Sequence, residues 1–89
     1  MNDIWFVYIL ECSDKSFYCG ITNDLDKRFI THSEGKGAKY TRTRLPLKLI
    51  HVEEYQNRSL AAKREYQIKQ LSRKQKEEII FKKTTNLKK

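Results

Sequence analysis

The sequence predicts a small α+β domain, a mainly antiparallel three-stranded sheet flanked by helices in the order β-β-α-β-α-α. Three observations carry that expectation. Two strand-like stretches stand near the start with only turn residues between them. A third follows Pro46, and the remaining pattern is helical with its own capping residues. At 89 residues, 38% of them hydrophobic, the chain holds one domain with a small core. We assign residues 1–82 to that domain and residues 83–89 to a basic, frayed tail.

The first element is Ile4-Trp5-Phe6-Val7-Tyr8-Ile9-Leu10, an apolar run rich in β-branched and aromatic residues that reads as a strand covered on both faces. Ser13-Asp14-Lys15 is turn material, and Phe17 to Thr22 reads as the returning strand of a hairpin. Asn23 or Asp24 can cap a first helix with apolar positions at Leu25 and Phe29, ending near Gly35-x-Gly37. Pro46 opens a third strand, Leu47 to Tyr55, with Leu47, Leu49 and His51 on one side and Lys48, Ile50 and Val52 on the other. Ser59 can cap a second helix running to about Leu71. Ser72-Arg73-Lys74-Gln75 has the form of a capping box for a last helix through Phe81.

Composition narrows the partners. The net charge is +8, and it is uneven: residues 1–34 carry three basic and six acidic side chains, residues 35–89 sixteen and five. Anionic partners follow, nucleic acid ahead of membrane surface, because no helix pairs a basic face with a bulky aromatic one. A merely solvated basic surface is the plain alternative. The longest apolar run is far short of the ~20 residues of a membrane span, and no signal-peptide pattern precedes it, so a cytoplasmic setting is expected. Cys12 and Cys19 suit neither a disulfide framework nor a zinc site and read as reduced, structural thiols.

Several polar residues converge if the strands pair as expected. A three-residue turn at Ser13-Asp14-Lys15 sets Tyr8 opposite Gly20 and Leu10 opposite Tyr18, so both tyrosines share a face; a two- or four-residue turn separates them. Gly20 would leave open space beside the Tyr8 ring. Arg28 and His32 stand at i and i+4, flanking the Leu25/Phe29 stripe at the rim of the core. Glu65 lies at the margin of the Ala61, Ile68 and Leu71 stripe, where a carboxylate needs a metal, a cation such as Arg28, or water. The segment Gly35 to Arg44 contributes Lys36, Lys39, Tyr40, Arg42 and Arg44 as a candidate phosphate clamp, with Lys27 nearby. Taken singly, each of these has an ordinary structural reading; the joint arrangement is what points to a site.

Phe6-Val7-Tyr8 and Tyr18-Cys19-Gly20 resemble the two half-motifs of the GIY-YIG nuclease superfamily. Arg28, His32 and Glu65 stand where that superfamily places its arginine, its histidine or tyrosine, and its metal-binding glutamate. The likeness runs from about Trp5 to Leu71 and is closest to small stand-alone bacterial members, for which Gly35-x-Gly37-Ala38-x-Tyr40-Thr41-Arg42 and Arg64-Glu65 look characteristic. Phe6 replaces the glycine of the first half-motif and Cys19 the isoleucine of the second, and the asparagine common after the glutamate has only the distant Asn86 as counterpart.

This resemblance implies a metal-dependent endonuclease hydrolysing phosphodiester bonds in DNA. Glu65 would hold one Mg²⁺ or Mn²⁺, and Arg28 would bind the scissile phosphate. Tyr8 or Tyr18 would take the proton from water, with His32 orienting a tyrosine or that water. DNA is implied ahead of RNA, with targeting supplied by the domain itself or by a protein partner. A binding module that keeps the fold without cutting is the alternative, and an adaptor docking an acidic protein is a third.

Overall fold

The computed structural model describes residues 4–86, with side chains through residue 81. It is the expected α+β arrangement, with one additional helical turn before the third strand. The strands are β1 (Trp5–Glu11), β2 (Phe17–Thr22) and β3 (Lys48–Tyr55); the helices are α1 (Leu25–Ser33), α2 (Lys39–Arg42), α3 (Arg58–Lys69) and α4 (Arg73–Asn86). All pairings are antiparallel and the strand order is β2-β1-β3, which leaves β2 as an outer strand.

The hairpin takes the three-residue turn. Tyr8 pairs with Gly20 and Leu10 with Tyr18, and the Cys12 amide donates to the Ser16 carbonyl at 2.8 Å. Lys15 adopts φ 71°, the left-handed residue that such loops require. Even-numbered residues of β1 and β2 therefore share one face. The odd face packs Val7, Ile9 and Cys19 against Ala61 and Ile68 of α3 and Ile80 of α4. That layer is the apolar core. The even face is covered instead by α1 and α2, which meet Tyr8 through His32 and Thr41.

Local signals mostly set the helix ends. Asp24, not Asn23, caps α1 by accepting from the Lys27 amide at 3.1 Å. Its C-terminus is a Schellman turn: the Lys36 amide reaches the Thr31 carbonyl, the Gly35 amide reaches that of His32, and Gly35 takes φ 79°. Ser72 and Gln75 form both halves of the capping box, at 2.9 and 3.2 Å.

Four details differ from expectation. Asn57 rather than Ser59 caps α3, because its side-chain oxygen reaches the Leu60 amide at 2.9 Å and starts the helix earlier. α4 continues past Phe81 to Asn86, since no glycine or proline stops it; the expected tail is thus helical through residue 86, and residues 87–89 lie outside the described residues. β3 begins at Lys48 rather than Leu47, and its alternation is broken by a bulge. Ile9 opposes His51 while Leu10 opposes Leu49, so Leu49 and His51 face opposite sides. The space expected beside Gly20 is filled by Tyr8 itself: a Cβ on Gly20 would come within 2.5 Å of the Tyr8 hydroxyl and 3.2 Å of the Tyr18 ring.

Both cysteines are free and buried. Among the described residues, no helix is long and apolar enough to cross a membrane.

Candidate functional site

Three rings meet on the even face. Tyr8 and Tyr18 lie 6.4 Å apart between centroids, and the His32 ring stands 5.9 Å from the first and 5.3 Å from the second. The cross-strand glycine makes this possible, because only a residue without a side chain lets the Tyr8 ring fold flat over its partner strand. Arg28, an exposed residue one turn before His32 on α1, is close enough for its charge to act on the Tyr8 and Tyr18 phenols. Four of the five residues singled out in the sequence are therefore assembled.

His32 is buried more deeply than the rim position expected of it, at 0% exposure. Gly37 explains why. A Cβ there would come 2.2 Å from His32 Nδ1, so the chain closes over the imidazole only because position 37 is glycine. The ring then makes two hydrogen bonds, Nδ1 with Thr41 Oγ1 at 2.9 Å and Nε2 with the Tyr8 hydroxyl at 3.0 Å.

Hydrogen counting fixes their directions. Thr41 has one hydroxyl proton, which it donates to the Ala38 carbonyl at 2.9 Å. It must therefore accept from His32 Nδ1–H. Burial, reinforced by the Arg28 charge, pushes the His32 pKa down and keeps the ring neutral. A neutral imidazole protonated at Nδ1 presents a lone pair at Nε2, so Tyr8 donates its phenolic proton there. The chain runs Tyr8 to His32 to Thr41 to the Ala38 carbonyl. Thr41 is the residue that sequence reasoning missed. Its only signal was its place in the Gly35–Arg42 stretch, where the neighbouring basic residues drew attention instead.

Tyr8 is 2% exposed, and burial raises its pKa against the lowering effect of Arg28. A resting phenolate is thus disfavoured. Tyr18 is half-buried. Its ring lies 6.3 Å from that of Tyr40 and 22° from parallel, and the Arg44 guanidinium covers Tyr40 at 3.8 Å.

Arg44 is largely committed within the molecule. It pairs with Asp14 at 3.1 Å, donates to the Tyr40 carbonyl at 2.8 Å, and accepts from the Ser13 amide through its own carbonyl. Lys36, Lys39 and Arg42 are exposed on the same connection. Lys27 and Arg28 line a separate cavity of about 280 Å³ with Thr22, Asn23, Asp24 and Thr31.

Glu65 is not packed into the ring cluster. Its helix covers the odd face, its carboxylate pairs with Lys69 at 3.1 Å, and it is the largest charge acting on the Cys19 thiol, which burial and that charge push up to about 12. Lys69 rather than Arg28 is therefore its cation. The two halves approach each other around the outer edge of β2, where one cavity is lined by both Tyr18 and Lys69.

Among the described residues, no three His, Cys, Asp or Glu side chains gather into a protein-built metal cage. The donor set instead fits a hard cation that stays mostly hydrated. Glu65, with a side chain 22% exposed, offers a single carboxylate to which water and substrate oxygens can add.

The other histidine belongs to a different cluster. His51 and Tyr55 both bond Glu53, at 2.9 and 2.7 Å, and Arg64 closes on the same carboxylate at 2.8 and 3.2 Å. Those hydrogen bonds and the Arg64 charge overcome burial and hold the Glu53 carboxyl well below its usual range. This group ties α3 to β3 on the odd face.

A family model described as the GIY-YIG catalytic domain matches residues 4–78. A UPF0213 protein of Bacillus velezensis is 55% identical over 75 residues, 84% of this chain and 76% of the relative. One from Haloquadratum walsbyi is 48% identical over 79 residues, 89% of each chain. The solution NMR structure of a UPF0213 protein from Bacillus halodurans aligns with TM-score 0.58 at 45% identity, covering 86% of this chain and 82% of that one. A second NMR structure, of a protein from E. faecalis, aligns with TM-score 0.63 at 42% identity, covering 98% and 93%.

Proposed function

The chain belongs to the GIY-YIG catalytic domain family, and we propose that it is a metal-dependent endonuclease hydrolysing phosphodiester bonds in DNA. The observation that carries this reading is the Tyr8 hydroxyl, held between a neutral His32 that accepts its proton and the cationic Arg28.

That arrangement moves a proton without a standing phenolate. As a water oxygen forms its bond to phosphorus, the Tyr8 oxygen takes the water's proton while the Tyr8 proton passes to His32 Nε2. The His32 Nδ1–H to Thr41 bond holds the ring in the required tautomer throughout. The leaving oxygen departs as its bond to phosphorus breaks, and it takes a proton from solvent. Arg28 binds the scissile phosphate through its fork of donors and offsets the charge that develops there. Tyr18, with its half-exposed ring beside Arg28, orients the phosphate. A bound Mg²⁺ or Mn²⁺ would be held by Glu65 and would supply further neutralisation of phosphate charge.

Lys27, Lys36, Lys39 and Arg42 would follow the phosphate backbone, with Arg44 acting mainly by fixing Tyr40. We read the setting as cytoplasmic, with targets chosen by the domain or by a protein partner.

One observation favours a second reading, a module that binds nucleic acid without cutting. Glu65 is already paired with Lys69, on the helix that packs against the odd face.

Cleavage of labelled single-stranded, duplex and branched DNA with Mg²⁺, Mn²⁺ or EDTA separates the two. Wild type should cut only with metal, and identically purified Glu65→Ala and Arg28→Ala should not cut. Binding without cutting by wild type would replace the nuclease with the binding module.

A further inference from the structure

β2 is one of the two outer strands of the described sheet, and a cavity beside it draws on four elements. It measures about 290 Å³ and is lined by Phe17, Tyr18 and Cys19 from β2, Tyr40 from α2, Lys69 from α3 and Lys76 from α4. Three of the lining residues are aromatic. The Tyr18 and Tyr40 rings are 22° from parallel with centroids 6.3 Å apart, and Tyr40 is 38% exposed. Arg44 lies on Tyr40 at 3.8 Å and Arg73 on Phe17 at 3.8 Å, so cations hold two of the three rings. Two more, Lys69 and Lys76, are cationic. Lys69 gives one donor to Glu65, and an ammonium has three, so donors remain for a second anion. The buried thiol of Cys19 completes the lining.

Aromatic rings and two lysines lining one cavity suit a planar base joined to a phosphate. A base inside a duplex has both faces covered by its neighbours and cannot enter a concavity, whereas an unpaired one can. We propose that the β2-edge cavity is a subsite for an unpaired nucleotide of the DNA substrate, its base against Tyr18 and Tyr40 and its phosphate on Lys69 and Lys76. This rests on the nucleic-acid reading above and deepens it. The nucleotide seated there adjoins the one whose phosphate meets Arg28, since Tyr18 borders both places. The favoured substrate is therefore single-stranded, or carries an unpaired nucleotide at a branch.

The test is binding in EDTA, measured by fluorescence anisotropy with a labelled single-stranded oligonucleotide and a perfect duplex of the same sequence over a series of salt concentrations. Wild type should prefer the single strand. Tyr40→Ala should lose about tenfold on the single strand and clearly less on the duplex, so that the preference narrows. Lys76→Ala, on a different element from Tyr40, should reduce the salt slope for the single strand by about one contact's worth, ~0.7 in log–log units. Equal binding of both DNAs, or a single-strand preference that survives both substitutions, would overturn the subsite. Because no cleavage is needed, its failure is distinguishable from that of the nuclease: pocket-dependent preference without any cutting supports the subsite on a binding module, and cutting that ignores both substitutions refutes the subsite alone.

Discussion

Each face of the sheet buries a histidine in a hydrogen-bond chain that includes a tyrosine, and the two chains are built on opposite principles. On the odd face, His51 and Tyr55 converge on Glu53, which Arg64 neutralises with two further bonds. All three donors end on one carboxylate, and the cluster sits beside the apolar core where α3 docks. On the even face, His32 has no carboxylate. It is neutral, accepts from Tyr8, and ends on a threonine and a backbone carbonyl. Among the described residues, the charge that acts on both Tyr8 and His32 is that of the exposed Arg28. A closed ionic cluster resists change of protonation state; a neutral chain ending at an exposed cation permits it. The first ties α3 to β3, and the second is the one to which the proposed function assigns the chemistry.

The largest expected effect that sharpens this contrast is Arg28→Ala. It should lower single-turnover DNA cleavage by about 1,000-fold or more with little change in melting temperature. Glu53→Ala should do the reverse, because Arg64, His51 and Tyr55 lose their common acceptor inside a part-buried site. A loss of about 2 kcal/mol in urea titrations is expected, with cleavage per folded molecule retained. Equal losses of cleavage from both substitutions would erase the division of labour between the faces.

Thr41→Val comes next. Without the hydroxyl, Nδ1–H loses its acceptor and the tautomer is no longer fixed, so cleavage should fall by about tenfold while Thr41→Ser restores it. The ¹⁵N shifts of His32 should show Nδ1 protonated in wild type and a tautomer mixture in the valine variant. A valine variant that retains the wild-type tautomer would remove Thr41 from the chain.

The smallest effect is on stability with pH. The folded His32 pKa lies below its ordinary value, so the unfolded chain binds the proton first on acidification. Stability should be full above about pH 6.5 and decline as pH falls below that value toward the folded pKa. His32→Gln should remove that portion of the decline, as read from melting temperatures between pH 7.5 and 5.5.

Much of the even face was legible in the sequence, and the reasons are local. A three-residue turn determines which of Tyr8 and Tyr18 share a side, and helical spacing puts Arg28 and His32 on one edge of α1. What was not legible depends on contacts between distant segments. Nothing local says that Gly37 clears space for an imidazole, that Thr41 completes its hydrogen bonding, or that Tyr8 folds over Gly20. The odd-face cluster was hidden by the bulge at Ile50, since regular alternation along β3 would have placed His51 with Leu49. Glu65 was read correctly as a carboxylate in need of a partner, but the i+4 lysine that supplies it was overlooked.

The most direct test removes one hydroxyl from each face. Tyr8→Phe and Tyr55→Phe each delete a single buried or part-buried phenolic oxygen from a histidine-containing chain, and single-turnover cleavage of a labelled DNA with Mg²⁺ reads the consequence. If the Tyr8 to His32 proton transfer drives the reaction, Tyr8→Phe should lose at least about 100-fold while Tyr55→Phe cleaves as wild type does. A Tyr8→Phe protein that cuts at the wild-type rate would contradict that account.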